Sequence, residues 1–345
     1  MYYADKISIL EDLWGKSVEL HKDKLIVGSQ VYPIIDDVII LLEPPDYPLS
    51  LSQRLNQQAK SRESEPAIAR KIQYTFGAEW QRFSQILPEH RQEFEAYFDI
   101  VDLSTLKGKR FCDLGCGIGR WSYFVKEICR ELILIDFSEA IFVARKNLRE
   151  VSNALFFMGD IMRLPFRRDF ADFAICLGVL HHLPINAIEA ARHISTYAPE
   201  QLIYLYYALD NKPAYFRWLL SGVTLLRKGF SRIRSPLLRE GLSWFLMTTL
   251  YLPFIGLGYL VRPFGWRSKV PLHEIYAGKS LKRIQQDVYD RFFTGIEQRF
   301  SQKEIANLSD TYRGCGFRKN RLTGTFTAKG KEVSLTRFRK KVFRE

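Results

Sequence analysis

The chain has 345 residues, of which 47% are hydrophobic and 26% are charged, and its formal net charge is +13. That length and composition allow one large folded domain with additions and exclude a largely disordered chain. The excess of positive charge does not by itself define a partner, because its meaning depends on where along the chain the cations lie.

The five cysteines form no C-x-x-C pair. An odd number of thiols without metal-ligand spacing predicts reduced cysteines in the cytoplasm and no metal site. Charged residues stand near the N-terminus, where a secretory signal would place an apolar run, so we expect a protein that is not secreted. The cysteines are Cys112, Cys116, Cys129, Cys176 and Cys315.

Two apolar runs between Lys24 and Leu42 flank turn residues, a pattern that predicts a β-hairpin. A proline-containing break follows at Glu43–Pro48, and a polar segment rich in Gln, Lys, Arg and Glu comes after it. We therefore expect a small N-terminal β unit in residues 1–50 and an exposed linker in residues 51–70.

Residues 71–210 are predicted to form alternating strands and helices. The apolar run Arg110–Leu114 predicts a buried strand, a glycine-rich loop follows it, and Trp121–Val125 can begin a helix. Glycines suit this loop because a backbone that approaches a ligand closely adopts dihedral angles that a Cβ would forbid. Strand, glycine turn and helix together predict a nucleotide-binding cradle.

Asp113 and Arg120 distinguish between two ligands for this cradle. A dinucleotide motif needs a third glycine where Arg120 stands, and the carboxylate of Asp113 would repel a pyrophosphate at the helix N-terminus. S-adenosylmethionine has an ammonium group, a sulfonium and no phosphate, so Asp113 would attract it. We therefore predict S-adenosylmethionine as the ligand. The predicted loop contacts are Asp113, Gly115, Cys116, Gly117 and Gly119.

Two further strands are predicted to bring polar residues to the same edge. Leu132–Ile135 ends at Asp136, where a carboxylate can accept hydrogen bonds from both ribose hydroxyls. Asn153–Met158 precedes Asp160, which can accept from the adenine amino group. The predicted donor contacts from these strands are Asp136, Phe137, Asp160 and Ile161.

The fourth predicted strand, Asp172–Leu177, runs into His181 and His182 at this edge, and Leu177 is predicted to contact the donor. A general base is needed only if the acceptor is a hydroxyl or an acidic carbon, and the two histidines are the candidates. The alternative is that a histidine closes a hydrogen bond at the strand end or packs in the core.

These motifs occur in a fixed order, and together they resemble the type 11 group of the class I methyltransferases over about residues 70–210. The resemblance implies an α/β fold with a Rossmann-like seven-stranded sheet, S-adenosylmethionine as co-substrate and no metal. The helical insertion before the last strands is an addition of this chain. The motifs are Asp113–Arg120, Asp136–Ser138, Gly159–Asp160, Leu164–Phe166 and Val179–Leu183.

Two N-terminal segments also resemble parts of such proteins. In this group a segment similar to Tyr74–Phe83 lies over the donor, so Phe76 and Trp80 could cover the cofactor, with ordinary aromatic packing as the alternative. The N-terminal hairpin is similar to that of small zinc-ribbon-like domains, but it lacks the metal cysteines and has Asp37 in place of a turn glycine. A hairpin that packs on the core is the alternative.

Residues 211–300 interrupt the α/β pattern before a C-terminal helix and the last strands in residues 301–345. Residues 212–269 hold ten Lys and Arg side chains and one acidic residue, Glu240. Residues 242–261 carry no charge, so their length alone permits a membrane span, although Pro253 interrupts the stretch. Three alternatives stay open: two short helices packed on the core as a buried lid for the acceptor, two short helices on a membrane surface, and a single transmembrane helix.

Basic and apolar residues on one element favour anionic lipid head groups or a polyisoprenyl phosphate over nucleic acid. We therefore expect methyl transfer to an apolar or membrane-associated small-molecule or lipid-linked acceptor, by a cytoplasmic protein that can associate with membranes. An RNA or protein methyltransferase is one alternative, and a donor-binding scaffold without turnover is another. The acceptor, the methylated atom and the oligomeric state do not follow from the sequence.

Overall fold

The computed structural model describes residues 1–55, 77, 80, 82–208, 214–233, 235–266, 269–308, 316–317 and 325–329. Most of the predicted linker, and Phe76, lie outside these residues. The described residues fall into two compact units: the first holds Met1–Leu205 and the described residues from Lys303 onward, and the second holds Tyr206–Gln302.

The first unit contains one sheet, in which the described residues form eleven strands. The strands are β1 (Glu19–Leu20), β2 (Lys24–Val27), β3 (Gln30–Ile35), β4 (Val38–Ile40), β5 (Arg110–Leu114), β6 (Glu131–Asp136), β7 (Ala154–Met158), β8 (Phe173–Leu177), β9 (Glu200–Tyr204), β10 (Gly316–Phe317) and β11 (Thr325–Lys329). The helices of this unit are α1 (Ile7–Trp14), α2 (Leu49–Arg54), α3 (Glu89–Phe98), α4 (Ser122–Val125), α5 (Ala140–Asn147), α6 (Ala187–Ile194) and α12 (Gln302–Ala306), of which all but Gln302 belongs to this unit.

The strand order is β1-β2-β3-β4-β7-β6-β5-β8-β9-β11-β10. The six strands from β4 to β9 run parallel, while β1 to β4 pair antiparallel with one another and β11 pairs antiparallel with β9 and β10. Every residue of β5, β6, β7 and β8 is buried, as expected for parallel strands covered on both faces. The mostly parallel sheet confirms the predicted α/β, Rossmann-like fold.

Residues 1–50 continue this sheet. Strand β4 pairs in parallel with β7, with Ile39 opposite Phe157. The turn between β3 and β4 places Asp36 and Asp37 at φ 48° and 61°, a left-handed conformation that Asp tolerates better than most residues with a side chain. The hydroxyl of Tyr3 donates to the carbonyl of Asp37 at 2.6 Å and so ties the N-terminus to the turn. The N-terminal strands and the methyltransferase-like strands therefore share one hydrogen-bonded sheet.

The second unit is helical. Pro253 lies at the start of a helix, and the turn before it is a π-helical segment, Met247–Tyr251, which lets the chain continue without the hydrogen bond that proline cannot donate. Pro236–Leu260 is therefore one helical stretch of 25 residues, whereas the sequence predicted two short helices. The helices are α7 (Ala214–Phe230), α8 (Pro236–Leu246), α9 (Leu252–Leu260), α10 (His273–Tyr276) and α11 (Leu281–Phe293).

Candidate active site

A tight loop joins β5 to α4 at the carboxyl edge of the sheet. The backbone N–H groups of Gly115 and Cys116 both donate to the carbonyl of Ile135, at 2.8 and 3.0 Å, so the loop is fastened to β6. Gly115, Gly117 and Gly119 have φ of 76°, 55° and 74°. Side chains rarely adopt this left-handed region, which accounts for the three glycines.

Two of these glycines also allow close packing. A Cβ on Gly115 would lie 2.4 Å from the Cγ2 of Val179, which follows β8. A Cβ on Gly119 would lie 3.0 Å from the Cδ1 of Leu148, which directly follows α5. The loop is thus packed between the ends of two neighbouring strands and the helix layer. The sequence identified the glycines but not the partners that require them.

Asp136 organises the loop from the end of β6. Its Oδ2 accepts from the backbone N–H of Gly117 at 2.8 Å, and its Oδ1 accepts from the N–H and the hydroxyl of Ser138 at 2.8 and 2.7 Å. Burial raises the pKa of this carboxyl, and the hydrogen bonds from Ser138 and Gly117 act in the opposite direction. Since carboxylate oxygens can each accept more than one hydrogen bond, the predicted contact with the ribose stays compatible with this geometry.

Asp113 is buried at the end of β5, where its Oδ2 accepts a hydrogen bond of 2.7 Å from the hydroxyl of Ser122. Burial raises the pKa of Asp113 to about 7, and the negative charge of Asp136 acts in the same direction, while Ser122 and Arg120 oppose the rise. A cationic ligand nearby would favour the ionised carboxylate. The donor contact of Asp113 stays a prediction.

Trp80 lies over the glycine loop. A Cβ on Gly117 would be 3.3 Å from the Cε2 of Trp80, and the guanidinium of Arg120 lies 5.1 Å from the Trp80 ring and 4.4 Å from the Trp121 ring. Arg120 thereby contacts both indoles, an arrangement that cation–π attraction stabilises. Trp80 therefore packs against the loop, its role as a cover for the donor stays a prediction, and Phe76 lies outside the described residues.

Asp160 and Ile161 lie after β7 at the same edge. The two carboxylate oxygens of Asp160 accept from the N–H of Met162 and from the Nε of Arg163, each at 2.9 Å. The carbonyl of Ile161 accepts from the hydroxyl of Tyr197 at 2.8 Å. These bonds hold the turn next to Asp136, whose carbonyl accepts from the N–H of Gly159 at 2.9 Å. The structure thus brings the predicted adenine and ribose contacts to adjacent turns.

His181 and His182 form a short 3-10 turn, Leu180–His182, just after β8. Both are buried, and their ring centroids are 4.3 Å apart. The ring of Tyr204, at the end of β9, lies 6.1 Å from the ring of His181. This placement agrees with the predicted position of the histidines at the edge of the sheet that holds the glycine loop. Their role as a general base stays a prediction.

Sequence reasoning missed Tyr204, whose ring lies near that of His181, and Tyr97, whose ring lies next to that of Tyr204. Their ring centroids are 5.2 Å apart, and the ring of Tyr97 is 5.3 Å from that of Trp121. Tyr97 belongs to α3, which precedes the motif region, and Tyr204 stands in a strand with no motif of its own. No local signal in the sequence links them, since only the fold brings α3, α4 and β9 together.

The described cysteines are free thiols. Burial raises the pKa of Cys116, and the nearby carboxylates of Asp136 and Asp113 raise it further. Among the residues that the structure describes, no group of three or more His, Cys, Asp or Glu side chains is placed to hold a metal ion. Cys315 lies outside those residues. The described thiols are therefore structural rather than reactive.

Residues 111–197 match the family model of a methyltransferase domain. The matched span contains the glycine loop, Asp136, Asp160 and the two histidines. The fold and this match identify residues 111–197 as a methyltransferase domain. A comparison with curated proteins found no match.

Solved structures of methyltransferases are distantly similar to this chain. One from Bacillus halodurans is 17% identical, with 39% of this chain and 59% of that one covered and a TM-score of 0.34. Magnesium protoporphyrin IX methyltransferase from Synechocystis, with bound SAH, is 16% identical, with 75% and 98% covered and a TM-score of 0.41. An S-adenosyl-L-methionine-dependent methyltransferase from Methanococcus maripaludis is 10% identical, with 80% and 99% covered and a TM-score of 0.39. Such distant likenesses define no acceptor.

Proposed function

We propose that the protein transfers the methyl group of S-adenosylmethionine to a small apolar acceptor that is lipid-like or lipid-linked. The observation that carries the donor half of this proposal is the cradle formed by three left-handed glycines, with Asp136 bonded to Gly117 and the titratable Asp113 behind it. A sulfonium donor suits this combination because the nearby carboxylates complement its positive charge.

Methyl transfer is a displacement at the methyl carbon: the acceptor atom forms a new bond to it while the bond to sulfur breaks. Placing acceptor, methyl and sulfur in line supplies most of the acceleration in such a step. The residues of this chain contribute by fixing the donor: Asp136 and the glycine loop hold one side, and Trp80 lies over Gly117. A base is required only when the acceptor atom carries a proton that must leave.

We propose that His181 or His182 accepts this proton from the acceptor atom. They follow β8 and lie beside Tyr204 at the end of β9, and both strands end at the edge that holds the donor loop. An imidazole nitrogen can accept the proton that the acceptor atom loses as its bond to the methyl carbon forms. Their burial would keep water from the reacting atoms.

The acceptor half of the proposal rests on the second unit. Most of the large hydrophobic side chains that the described residues expose belong to this unit, among them Trp218 and Leu260. Exposed apolar surface of this extent is unusual for a protein that meets only water and polar partners. It supports an apolar acceptor over RNA or a soluble protein.

The test is to incubate the purified protein with methyl-labelled donor and a cell lysate and to count label in solvent-extractable, protein and nucleic-acid fractions. We expect label in the solvent-extractable fraction. A Gly115→Ala variant, in which the donor loop is disrupted, is the control. It measures the background label that other enzymes in the lysate transfer. Label in the protein or RNA fraction would replace the proposed acceptor with one of those polymers, and no label despite donor binding would indicate a scaffold without turnover.

A further inference from the structure

An exposed aromatic cluster lies in the second unit, formed by Tyr215, Trp218, Phe264 and Trp266. The hydroxyl of Tyr215 donates to the carbonyl of Lys269 at 2.5 Å, and the N–H of Lys269 donates to the carbonyl of Trp266 at 2.9 Å. The rings of Phe264 and Trp266 are 6.1 Å apart. These contacts join the start of α7 to the segment that follows α9.

Two apolar stripes extend from this cluster, one along α7 and one along α8 and α9. On α7 the exposed side chains recur at helical spacing on one face, while the other face packs on α11 through Phe230, whose ring lies 6.1 Å from that of Phe292. Only 33% of the most apolar 18-residue window within Pro236–Leu260 is buried. The exposed members of the stripes are Tyr215, Trp218, Leu219, Leu225 and Leu226 on α7, and Leu237, Leu238, Trp244, Phe245, Leu257, Tyr259 and Leu260 on α8 and α9.

Exposed cations accompany the stripes. Within the described part of residues 214–269 the one acidic residue is Glu240, and it is half-buried. The Nζ of Lys269 lies 5.4 Å from the Trp266 ring, so one of the cations sits directly beside the aromatic cluster. Aromatic rings beside lysine or arginine are typical of the interface between water and lipid head groups. The exposed cations are Arg217, Lys228, Arg232, Arg262 and Lys269.

We propose that the aromatic cluster and the two stripes dock the second unit on the surface of a bilayer that contains anionic phospholipid. The apolar side chains enter the boundary between head groups and acyl chains, and the cations bind lipid phosphates. This inference rests on the proposed function, because docking would bring the enzyme to an acceptor that is dissolved in the bilayer.

The packing of α11 against α8 argues that Pro236–Leu260 lies on the membrane surface and does not span the membrane. The Nε2 of Gln285 donates to the hydroxyl of Ser243 at 2.8 Å, so α11 lies directly against α8. Charged residues in the lipid core cost several kcal/mol each by insertion scales. A span formed by Pro236–Leu260 would draw α11 into the hydrocarbon with it. The charged residues of α11 are Lys282, Arg283, Asp287, Asp290 and Arg291.

The exposed cations beside the stripes argue against a second copy of the chain as the occupant of this surface. Two copies that met through the stripes would bring like-charged rims together, with Arg262 and Lys269 on both sides. Like charges across an interface oppose association. An anionic bilayer removes this conflict, since its phosphates complement the cations.

The test is flotation of the full chain with vesicles of phosphatidylcholine, with and without phosphatidylglycerol. We expect flotation with the mixed vesicles and much less with phosphatidylcholine alone. Leu260→Asp should abolish it, whereas Leu49→Asp in the first unit should float like the wild type, because the two leucines are equally exposed at 74%. Arg262→Gln with Lys269→Gln should weaken binding to the mixed vesicles about 30-fold.

Donor affinity, measured by calorimetry on each variant, separates docking from misfolding and should stay unchanged. Flotation that is the same with both vesicle types, or that Leu260→Asp leaves intact, would overturn the proposal. A concentration-dependent dimer that Leu260→Asp abolishes, without flotation, would assign the surface to a second copy instead. Intact flotation with label in RNA or protein would support docking and contradict the apolar acceptor, so the two proposals fail separately.

Discussion

The indole of Trp80 lies so close to Gly117 that a Cβ on the glycine would be 3.3 Å from the Cε2 of the ring. The N–H of the same glycine donates to Asp136 at 2.8 Å. One loop residue therefore contacts both the segment before the methyltransferase core and the carboxylate predicted to bind the ribose. The donor loop is held from two sides by residues that are more than 50 positions apart in the sequence.

Replacing Trp80 with alanine should weaken binding of the donor about tenfold, because the site loses an aromatic cover and water gains access to the loop. Trp80→Phe should retain most of the affinity. Isothermal calorimetry with S-adenosylmethionine measures both. Equal affinities for the wild type and Trp80→Ala would mean that the ring only packs, as aromatic pairs in proteins often do.

Gly115→Ala should nearly abolish donor binding. The added methyl group would meet Val179 at 2.4 Å, and φ of 76° strains any residue with a side chain. The double variant Gly115→Ala with Val179→Ala removes the two Cγ methyl groups that collide but keeps the Cβ of residue 179 at 3.2 Å and the backbone strain, so it should regain part of the affinity. Thermal unfolding of both variants distinguishes local loss of the site from loss of the fold. Donor affinity equal to that of the wild type in the Gly115→Ala single variant would contradict this explanation.

Asp113 should make donor binding depend on pH. Its pKa in the folded protein is raised to about 7 from 3.8, so the folded state holds a proton that the unfolded state has released between those values. The contribution of this carboxyl to stability therefore falls as pH rises through that range. A cationic donor prefers the ionised form, so its affinity should increase as pH rises through about 7.

The matched variant is Asp113→Asn, which keeps the shape of the side chain and removes its titration. We expect weaker donor binding with a flatter pH profile, and greater stability of the free protein above pH 7, where the wild type has a buried charge. Calorimetry and thermal unfolding across pH measure the two effects. A pH profile of affinity that the substitution leaves unchanged would show that another group titrates.

His181→Asn combined with His182→Asn should lower turnover about 100-fold if a base removes a proton from the acceptor. Donor affinity should not change, because the glycine loop and Asp136 hold the donor. Label transfer in the lysate assay measures turnover, and calorimetry measures donor binding. Unchanged turnover would assign both histidines to packing, and joint loss of affinity and turnover would indicate a collapsed site.

Glu297 should matter for the stability of the second unit. Its buried carboxylate, with 4% of the side chain exposed, accepts from the Nε of Arg299 at 2.7 Å and lies 3.3 Å from the Nη1 of Arg227. Glu297→Ala leaves two partly or wholly buried guanidinium groups without this partner, and we expect a loss of about 3 kcal/mol in the free energy of unfolding.

The exposed pair of Arg149 and Glu150 is the control for this experiment, because their side chains are 76% and 84% exposed. Glu150→Ala should change the unfolding free energy by less than about 0.5 kcal/mol, since water and salt screen such pairs. Denaturant unfolding followed by circular dichroism measures both variants. Equal effects of the two substitutions would contradict a structural role for the buried carboxylate.

The strand, glycine loop and helix at the candidate site could be predicted from the sequence because their signals are local. Strand β5, the glycine loop and α4 follow one another within 16 residues, and the left-handed glycines are the residues whose conformation permits that turn. Asp136 ends the next strand, and parallel strands bring their carboxyl ends to one edge. Continuous apolar runs likewise marked the buried strands, and the order of the motifs gave the resemblance that implied the α/β class.

The tertiary structure alone decided which distant residues meet. Nothing in the local pattern places Val179 behind Gly115, Trp80 over Gly117, Tyr204 beside His181, or β4 next to β7. Nor could the apolar stretch 242–261 be assigned from its composition, because a buried helix and an exposed one have the same hydrophobic residues. The chain determines its local conformations through nearby residues, whereas contacts between remote residues depend on how all the elements pack together.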